Sequence, residues 1–90
     1  MRDANLPGAE LIEAGLADLA TRTETDESLL VSMAAPRLRA LGFDVPAPFD
    51  DAELRLYRRL AERHGAGAHA RYNALVRRLV SFQRAAACAR

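Results

Sequence analysis

Apolar residues recur along the chain at intervals of three and four, which is the spacing of an amphipathic α-helix. In the first such segment Ile12 and Leu19 share one face, and a helix is predicted from about Pro7 to about Thr21. Asn5 is its predicted N-cap, because an asparagine side chain accepts a hydrogen bond from the first helical turn. A proline in that turn is harmless, since the amide there has no helical partner.

A second helix is predicted after Thr25, whose hydroxyl can cap it, and Asp26 and Glu27 suit the positive end of the helix dipole. Pro36 then lacks the N–H that the helix needs and disfavours helical backbone at the residue before it. We therefore expect this helix to be interrupted at Pro36 and to end at Gly42, a favourable C′ residue.

The segment 43–49 carries two prolines and is predicted to be an extended linker, with its two phenylalanines and its valine packed against the bundle. The acids that follow predict a capping box, in which Asp50 or Asp51 caps the third helix and Glu53 reaches back to the cap. This helix is predicted to end at about His64. Its apolar face is expected to comprise Leu54, Tyr57, Leu60, Ala61 and His64.

The third and fourth helices are predicted to form an αα-hairpin, because the turn between them contains two glycines. A DNA-binding helix–turn–helix fits less well, since Arg71 occupies a position where that motif buries an aliphatic residue. The fourth helix is expected from about Ala68 to about Ala86. One apolar seam runs along it, formed by Tyr72, Leu75, Val76, Leu79, Phe82 and Ala86.

These elements predict an all-α fold: a single domain over residues 1–90, built as a small bundle of about four helices whose second member is interrupted at Pro36. Residues 1–5 are expected to form an N-terminal tail and residues 87–90 a frayed C-terminus. No segment alternates apolar and polar residues as a strand does, and no apolar run reaches the roughly 18 residues of a transmembrane helix. A cytoplasmic protein without membrane contact is therefore expected, and the single Cys88 excludes an internal disulfide.

Composition limits the size of the core. Half of the 90 residues are hydrophobic, but 19 of them are alanines, which favour helix without burying much area. A single chain should therefore be marginally stable, and a homodimer is expected because association buries further apolar surface.

The net charge of +1 conceals an asymmetry between the two halves of the chain. Residues 1–50 contain four arginines and nine acids, a balance of −5, whereas residues 51–90 contain nine arginines and three acids, a balance of +6. Two interpretations remain open: the halves neutralise each other within the fold, or the second half presents a basic surface to an anionic partner.

Arginines of the third and fourth helices are the candidate contacts for such a partner. On the fourth helix, Arg71 and Arg78 lie on one side of the polar face, and Arg77 and Arg84 lie about 120° away, with small residues between. A groove of that kind suits a phosphate backbone or an acidic helix. The residues predicted to contact an anionic partner or a nucleic acid are Arg55, Arg59, Arg71, Arg77, Arg78 and Arg84.

A second candidate is an anion site near the glycine turn, where the first amides of the fourth helix are free to bind an anion. Its predicted residues are His64, His69, Arg71 and Asn73. No cysteine or acid completes a set of ligands beside the two histidines, so no metal site is predicted. Neither a catalytic residue nor a cofactor is predicted, because no paired nucleophile and base stand out in the sequence.

The sequence favours a non-enzymatic interaction module that binds a protein partner, a second copy of itself, or both. The alternative is a nucleic-acid-binding protein that uses the arginine face of the third and fourth helices. The third hypothesis is a small enzyme or enzyme subunit with an anion site near the turn at residues 65–67.

Overall fold

A computed structural model describes residues 6–89 of the chain. Those residues form helices and connecting turns, with no strand among them. The helices are α1 (Ala9–Ala20), α2 (Asp26–Met33), α3 (Ala35–Ala40), α4 (Ala52–His64) and α5 (Ala68–Ala89), and a 3-10 turn, Gly65–Gly67, joins the last two. The predicted all-α bundle is therefore confirmed. The expected tail at residues 1–5, with its predicted cap Asn5, lies outside the described residues.

The interruption of the second predicted helix is confirmed, and α2 and α3 are its two parts. Thr25 caps α2 as predicted: its hydroxyl oxygen accepts the Ser28 N–H at 3.0 Å, while the Thr25 N–H donates to Ser28 Oγ at 2.8 Å. The helix breaks at Ala34. Pro36 then lies in the first turn of α3, where its missing N–H is harmless.

The end of α3 at Gly42 is also as predicted, and its hydrogen bonds explain the glycine. The Phe43 N–H donates to the Leu38 carbonyl and the Gly42 N–H donates to the Arg39 carbonyl, both at 3.0 Å. This pair of bonds is a Schellman motif, which requires a left-handed residue at C′. Gly42 fulfils that requirement with φ 101°.

The core lies between α1, α2, α4 and the second half of α5. The predicted seam of α5 is buried from Leu79 onward, whereas its first half is only half-buried. The linker packs as predicted: Val45 is buried, and the Phe43 ring lies 5.5 Å from the Phe82 ring. Large, fully buried side chains include Ile12, Leu19, Leu29, Leu30, Leu38, Leu56, Leu60 and Phe82.

The last two helices form the predicted αα-hairpin. Gly65 departs from helical backbone with φ 55° and ψ −118°, so the chain turns back after α4. Tyr57 on α4 and Tyr72 on α5 thereby come into contact, with ring centroids 5.5 Å apart. A straight helix would hold residues at this sequence separation about 22 Å apart.

Gly15 allows α1 and α2 to approach each other closely. A Cβ atom added at Gly15 would overlap the Glu27 carbonyl oxygen and would lie 2.7 Å from Val31 Cγ1. Glycine is therefore required here by packing, although it weakens α1 as an isolated helix.

The predicted capping box at the start of α4 is wrong. Asp51 precedes the helix, but it has φ 52° and its side chain makes no hydrogen bond to the first turn. A capping residue normally has extended backbone, which aims its side chain at the first amides of the helix, and the left-handed Asp51 does not. Glu53 does not reach back to the cap either, and its carboxylate instead accepts the Tyr72 hydroxyl at 2.9 Å.

The predicted apolar face of α4 is wrong in part. Leu54, Tyr57 and Ala61 are exposed, while Leu56 joins the predicted Leu60 in the core. Leu54 and Leu56 lie about 160° apart around the helix, so only one of them can face inward. Leu56 is one turn from Ala52 and one turn from Leu60, and these three residues form the buried stripe of α4.

Two helix ends also differ from expectation. Gly8, not Asn5, precedes α1, and the helix begins at Ala9 rather than Pro7. At the other end of the chain, α5 continues to Ala89, beyond its expected end at Ala86.

Candidate functional site

Ion pairs join the acidic first half of the chain to the basic second half. Arg59 Nε donates to Asp26 Oδ1 at 3.0 Å, and Arg63 pairs with the other oxygen of the same carboxylate. Two further pairs join Arg55 to Glu24 and Arg78 to Glu10. Every one of these pairs places the acid within residues 1–50 and the arginine within residues 51–90. The interpretation in which the halves neutralise each other is therefore supported for these arginines.

Helix geometry explains why Asp26 forms ion pairs with two arginines. It is the first residue of α2, immediately after the Thr25 cap, so its carboxylate lies at the positive end of the helix dipole. Arg59 and Arg63 are four residues apart and therefore lie on the same side of α4, one turn from each other. The side chain of Asp26 is only 16% exposed, which strengthens its charge interactions relative to a fully solvated pair.

Three of the six arginines predicted to contact an anionic partner form ion pairs with acids of the chain itself. Arg55, Arg59 and Arg78 have the ion pairs given above. Arg71, Arg77 and Arg84 are exposed, and within residues 6–89 none of the three has an ion-pair partner. The basic surface open to solvent is therefore smaller than the sequence predicts, and it is confined largely to α5.

The predicted anion-site residues are only partly brought together. His64 and Arg71 face the same cleft, and Arg78 joins them there. His69 lies elsewhere, with its ring 6.3 Å from that of Tyr57, and Asn73 is exposed outside the cleft. We call this feature the basic cleft. It has a volume of about 210 Å³ and is lined by Asp26, Leu60, His64, Arg71, Ala74, Leu75 and Arg78.

A second surface of interest is an apolar patch on the αα-hairpin, which we call the hairpin patch. It consists of Leu54 and Tyr57 on α4 and Tyr72, Val76 and Val80 on α5. Leu54 is 58% exposed and Tyr57 is 37% exposed. The three α5 residues follow one another at intervals of four, so they form one stripe along the helix. Sequence reasoning missed this patch because it assigned Leu54 and Tyr57 to the core.

The Tyr72 hydroxyl is held in its neutral form at the edge of this patch. Burial against the hairpin disfavours the phenolate, and the hydroxyl donates to Glu53, whose negative charge acts in the same direction. Together these effects raise the pKa of Tyr72 to about 12. The Tyr72 hydroxyl therefore stays protonated well above neutral pH and can donate to Glu53 throughout that range.

A further depression lies near the start of α4, with a volume of about 530 Å³. Its polar lining is acidic, formed by Asp50, Asp51 and Glu53, and Met33 and Leu54 supply apolar surface. Within residues 6–89, no group of three or more His, Cys, Asp or Glu side chains is placed to hold a metal ion. Of the helices in that part of the chain, none is long and apolar enough to cross a membrane.

Comparison of the chain with protein-family models, with curated proteins and with solved structures gives no match. The functions of the basic cleft and the hairpin patch are therefore inferred from the chemistry of their own residues.

Proposed function

We propose that this chain is a non-enzymatic interaction module that pairs with a second copy of itself through the hairpin patch. The observation that carries the proposal is the exposure of Leu54 and Tyr57 beside the half-buried stripe of α5. In a chain so short of large apolar residues, these side chains would add substantially to the core if they were turned inward. A contiguous apolar patch on a soluble domain is typical of an interaction site.

The size of the hairpin fits a dimer interface. With 22 residues, α5 is about 33 Å long at about 1.5 Å per residue. A standard interface buries about 800 Å² on each partner. That area is under a fifth of the 5316 Å² surface of the chain, so a domain of this size can form such an interface.

The borders of the patch favour a second copy over an unrelated partner. Exposed residues of both signs, Glu53 and Arg58, flank Leu54 on α4. In a two-fold interface the same surface faces itself, so a border of one sign would repel its copy, whereas a mixed border can pair. Ala61, exposed one turn past Tyr57, is small enough to let a second helix approach closely.

Nucleic-acid binding is the second candidate, and the arginines of α5 that lack described partners favour it. Arg71, Arg77 and Arg84 could each neutralise a phosphate. The support is weaker than for self-association, because Arg55, Arg59 and Arg78 already pair with acids of the chain. An enzyme is less supported still, because the one carboxylate that lines the basic cleft, Asp26, is already engaged by Arg59 and Arg63.

The proposal is tested by placing a charge in the hairpin patch. Leu54→Glu should raise the dissociation constant of the dimer at least roughly tenfold, because it places a carboxylate in an apolar contact. Ala70→Glu is the matched control: Ala70 is exposed on α5 and, two residues before Tyr72, faces about 160° away from it. A dimer that tolerates Leu54→Glu as well as Ala70→Glu would show that the hairpin patch is not the interface.

The nucleic-acid alternative is tested on the same preparation. If α5 binds nucleic acid, wild-type protein binds duplex or single strands in a salt-sensitive way, and replacing Arg77 and Arg84 by Ala lowers the salt slope by about two units. Under our proposal the wild type shows no such affinity at moderate salt. Tight, salt-sensitive binding by the wild type would make nucleic-acid binding the better-supported function and self-association the weaker one.

A further inference from the structure

The basic cleft lies on the opposite side of α5 from the hairpin patch. Arg78 is two residues from both Val76 and Val80, so its side chain leaves the helix about 160° away from theirs. The cleft is bounded by the first residue of α2, the end of α4 and the first half of α5. Self-association through the hairpin patch therefore leaves the cleft open, and binding of a ligand in the cleft does not depend on a dimer.

The cleft combines an apolar floor with a basic rim. Leu60 is buried, and Leu75 is half-buried against the core, so they supply aliphatic surface at the base. Arg71 and Arg78 are seven residues apart on α5, two turns along one side of the helix. His64, the last residue of α4, adds an imidazole that can donate a hydrogen bond.

The acids near the cleft are already engaged. Asp26 accepts from Arg59 and Arg63, and Glu10 pairs with Arg78. Within residues 6–89, Arg71 has no ion-pair or hydrogen-bond partner. Its guanidinium thus remains free at the rim of a cleft with a volume of about 210 Å³.

We propose that the basic cleft binds a small monocarboxylate with a branched aliphatic group. Arg71 pairs with the carboxylate, because a planar guanidinium matches its two oxygens. His64 donates a further hydrogen bond, and the aliphatic group lies on Leu60 and Leu75. Inorganic phosphate fits less well, because it would leave the apolar floor uncovered.

Two sources share this chemistry: a free branched-chain acid and the carboxyl end of a peptide chain that terminates in an aliphatic residue. The free acid is represented by 4-methylpentanoate and the peptide end by N-acetylleucine. Whichever probe binds more tightly identifies the source, and saturable binding of either one at the cleft supports the proposal.

The test is a titration of the full-length, isotope-labelled protein, followed through the amide signals of Arg71, Ala74 and Leu75. We expect saturable shifts with 4-methylpentanoate and binding about tenfold weaker with its neutral isostere 4-methylpentanamide, because the charge-assisted hydrogen bonds are then lost. Inorganic phosphate should bind more weakly than the carboxylate. Equal binding of acid and amide, tighter binding of phosphate, or no shift with either carboxylate would overturn the proposal.

Variants of α5 locate the site. Arg71→Gln should weaken carboxylate binding about tenfold, whereas Arg77→Gln, at an exposed arginine outside the cleft, should leave it unchanged. Circular dichroism of both variants shows whether the helices are intact. If both variants are folded and lose affinity for the carboxylate equally, the probe is attracted by the positive charge of α5 in general and not by the cleft.

Discussion

The guanidinium of Arg59 donates to the carboxylate of Asp26 at 3.0 Å and so ties the end of α4 to the start of α2. Arg63 binds the second oxygen of the same carboxylate. This contact pairs an acid of the first half of the chain with arginines of the second half within one molecule. In the same arrangement α4 turns Leu56 and Leu60 inward and leaves Leu54 exposed.

Replacing Asp26 by Asn tests this contact. The variant loses two partly buried ion pairs and a favourable charge at a helix N-terminus, so we expect the free energy of unfolding to fall by about 1–2 kcal/mol. The measurement is urea denaturation at low and at high salt, and the loss should shrink at high salt because the pairs are screened.

Glu27→Gln is the matched control for that variant. Glu27 is also in the first turn of α2, but within residues 6–89 its side chain has no ion-pair partner. The control should lose only the dipole contribution of about 0.3–1 kcal/mol. Equal losses in the two variants would mean that the pairs with Arg59 and Arg63 contribute nothing to stability.

Gly15→Ala is expected to destabilise the fold, although alanine is the better helix former. The new methyl group would meet the Glu27 carbonyl and Val31, and overpacking of this kind costs about 1–3 kcal/mol. Gly67→Ala serves as the comparison, because a Cβ there meets only His64 Cβ at 3.7 Å and should be neutral or mildly stabilising. The melting temperatures of both variants test this expectation. A Gly15→Ala protein with a melting temperature above that of the wild type would show that α1 and α2 do not pack this closely.

Leu79→Ala should cost about 2–5 kcal/mol, because it removes a side chain that is only 5% exposed in the core seam of α5. Leu54→Ala should change the stability of the monomer by less than about 0.5 kcal/mol, since Leu54 lies in solvent. The comparison is made by denaturant unfolding at a concentration low enough to dissociate a dimer. If Leu54→Ala costs as much as Leu79→Ala, then Leu54 and not Leu56 faces the core.

The phenol of Tyr72 makes folding sensitive to alkaline pH. Its pKa is raised from the ordinary value of 10.0 to about 12, so the folded state favours the neutral form. This contribution to stability is fully present below pH 10 and is lost as the pH rises toward 12. In a Tyr57→Phe variant, where Tyr72 is the remaining tyrosine, the phenolate absorbance should appear near pH 12, and Glu53→Gln should lower that midpoint. A midpoint near pH 10 in the folded protein would contradict the contact between Tyr72 and Glu53.

Helix ends that depend on a single residue could be predicted from local sequence rules. Thr25, Pro36 and Gly42 each act through backbone geometry within a few residues, so the cap, the interruption and the C′ position could be predicted from the sequence. Asp51 shows the limit of such rules, because its left-handed backbone depends on how the preceding linker packs.

Contacts between distant segments could not be predicted in the same way. Leu54 and Leu56 are equally apolar, and which of them is buried depends on how α4 packs against the other helices. The same holds for the basic cleft, in which His64 and Arg71 were predicted but Asp26 and Arg78 were not associated with them. The spacing of Arg55, Arg59 and Arg63 at intervals of four was a usable signal for a helix side that faces acids.

Sedimentation equilibrium of the wild-type protein over a wide range of concentration tests the central claim, self-association through the hairpin patch, most directly. For a dimer we expect a mass that rises with concentration toward twice the 9.8 kDa of one chain. Leu54→Glu should hold the mass near that of a single chain, and Ala70→Glu should not. A wild-type mass that stays at 9.8 kDa at every concentration would contradict the account.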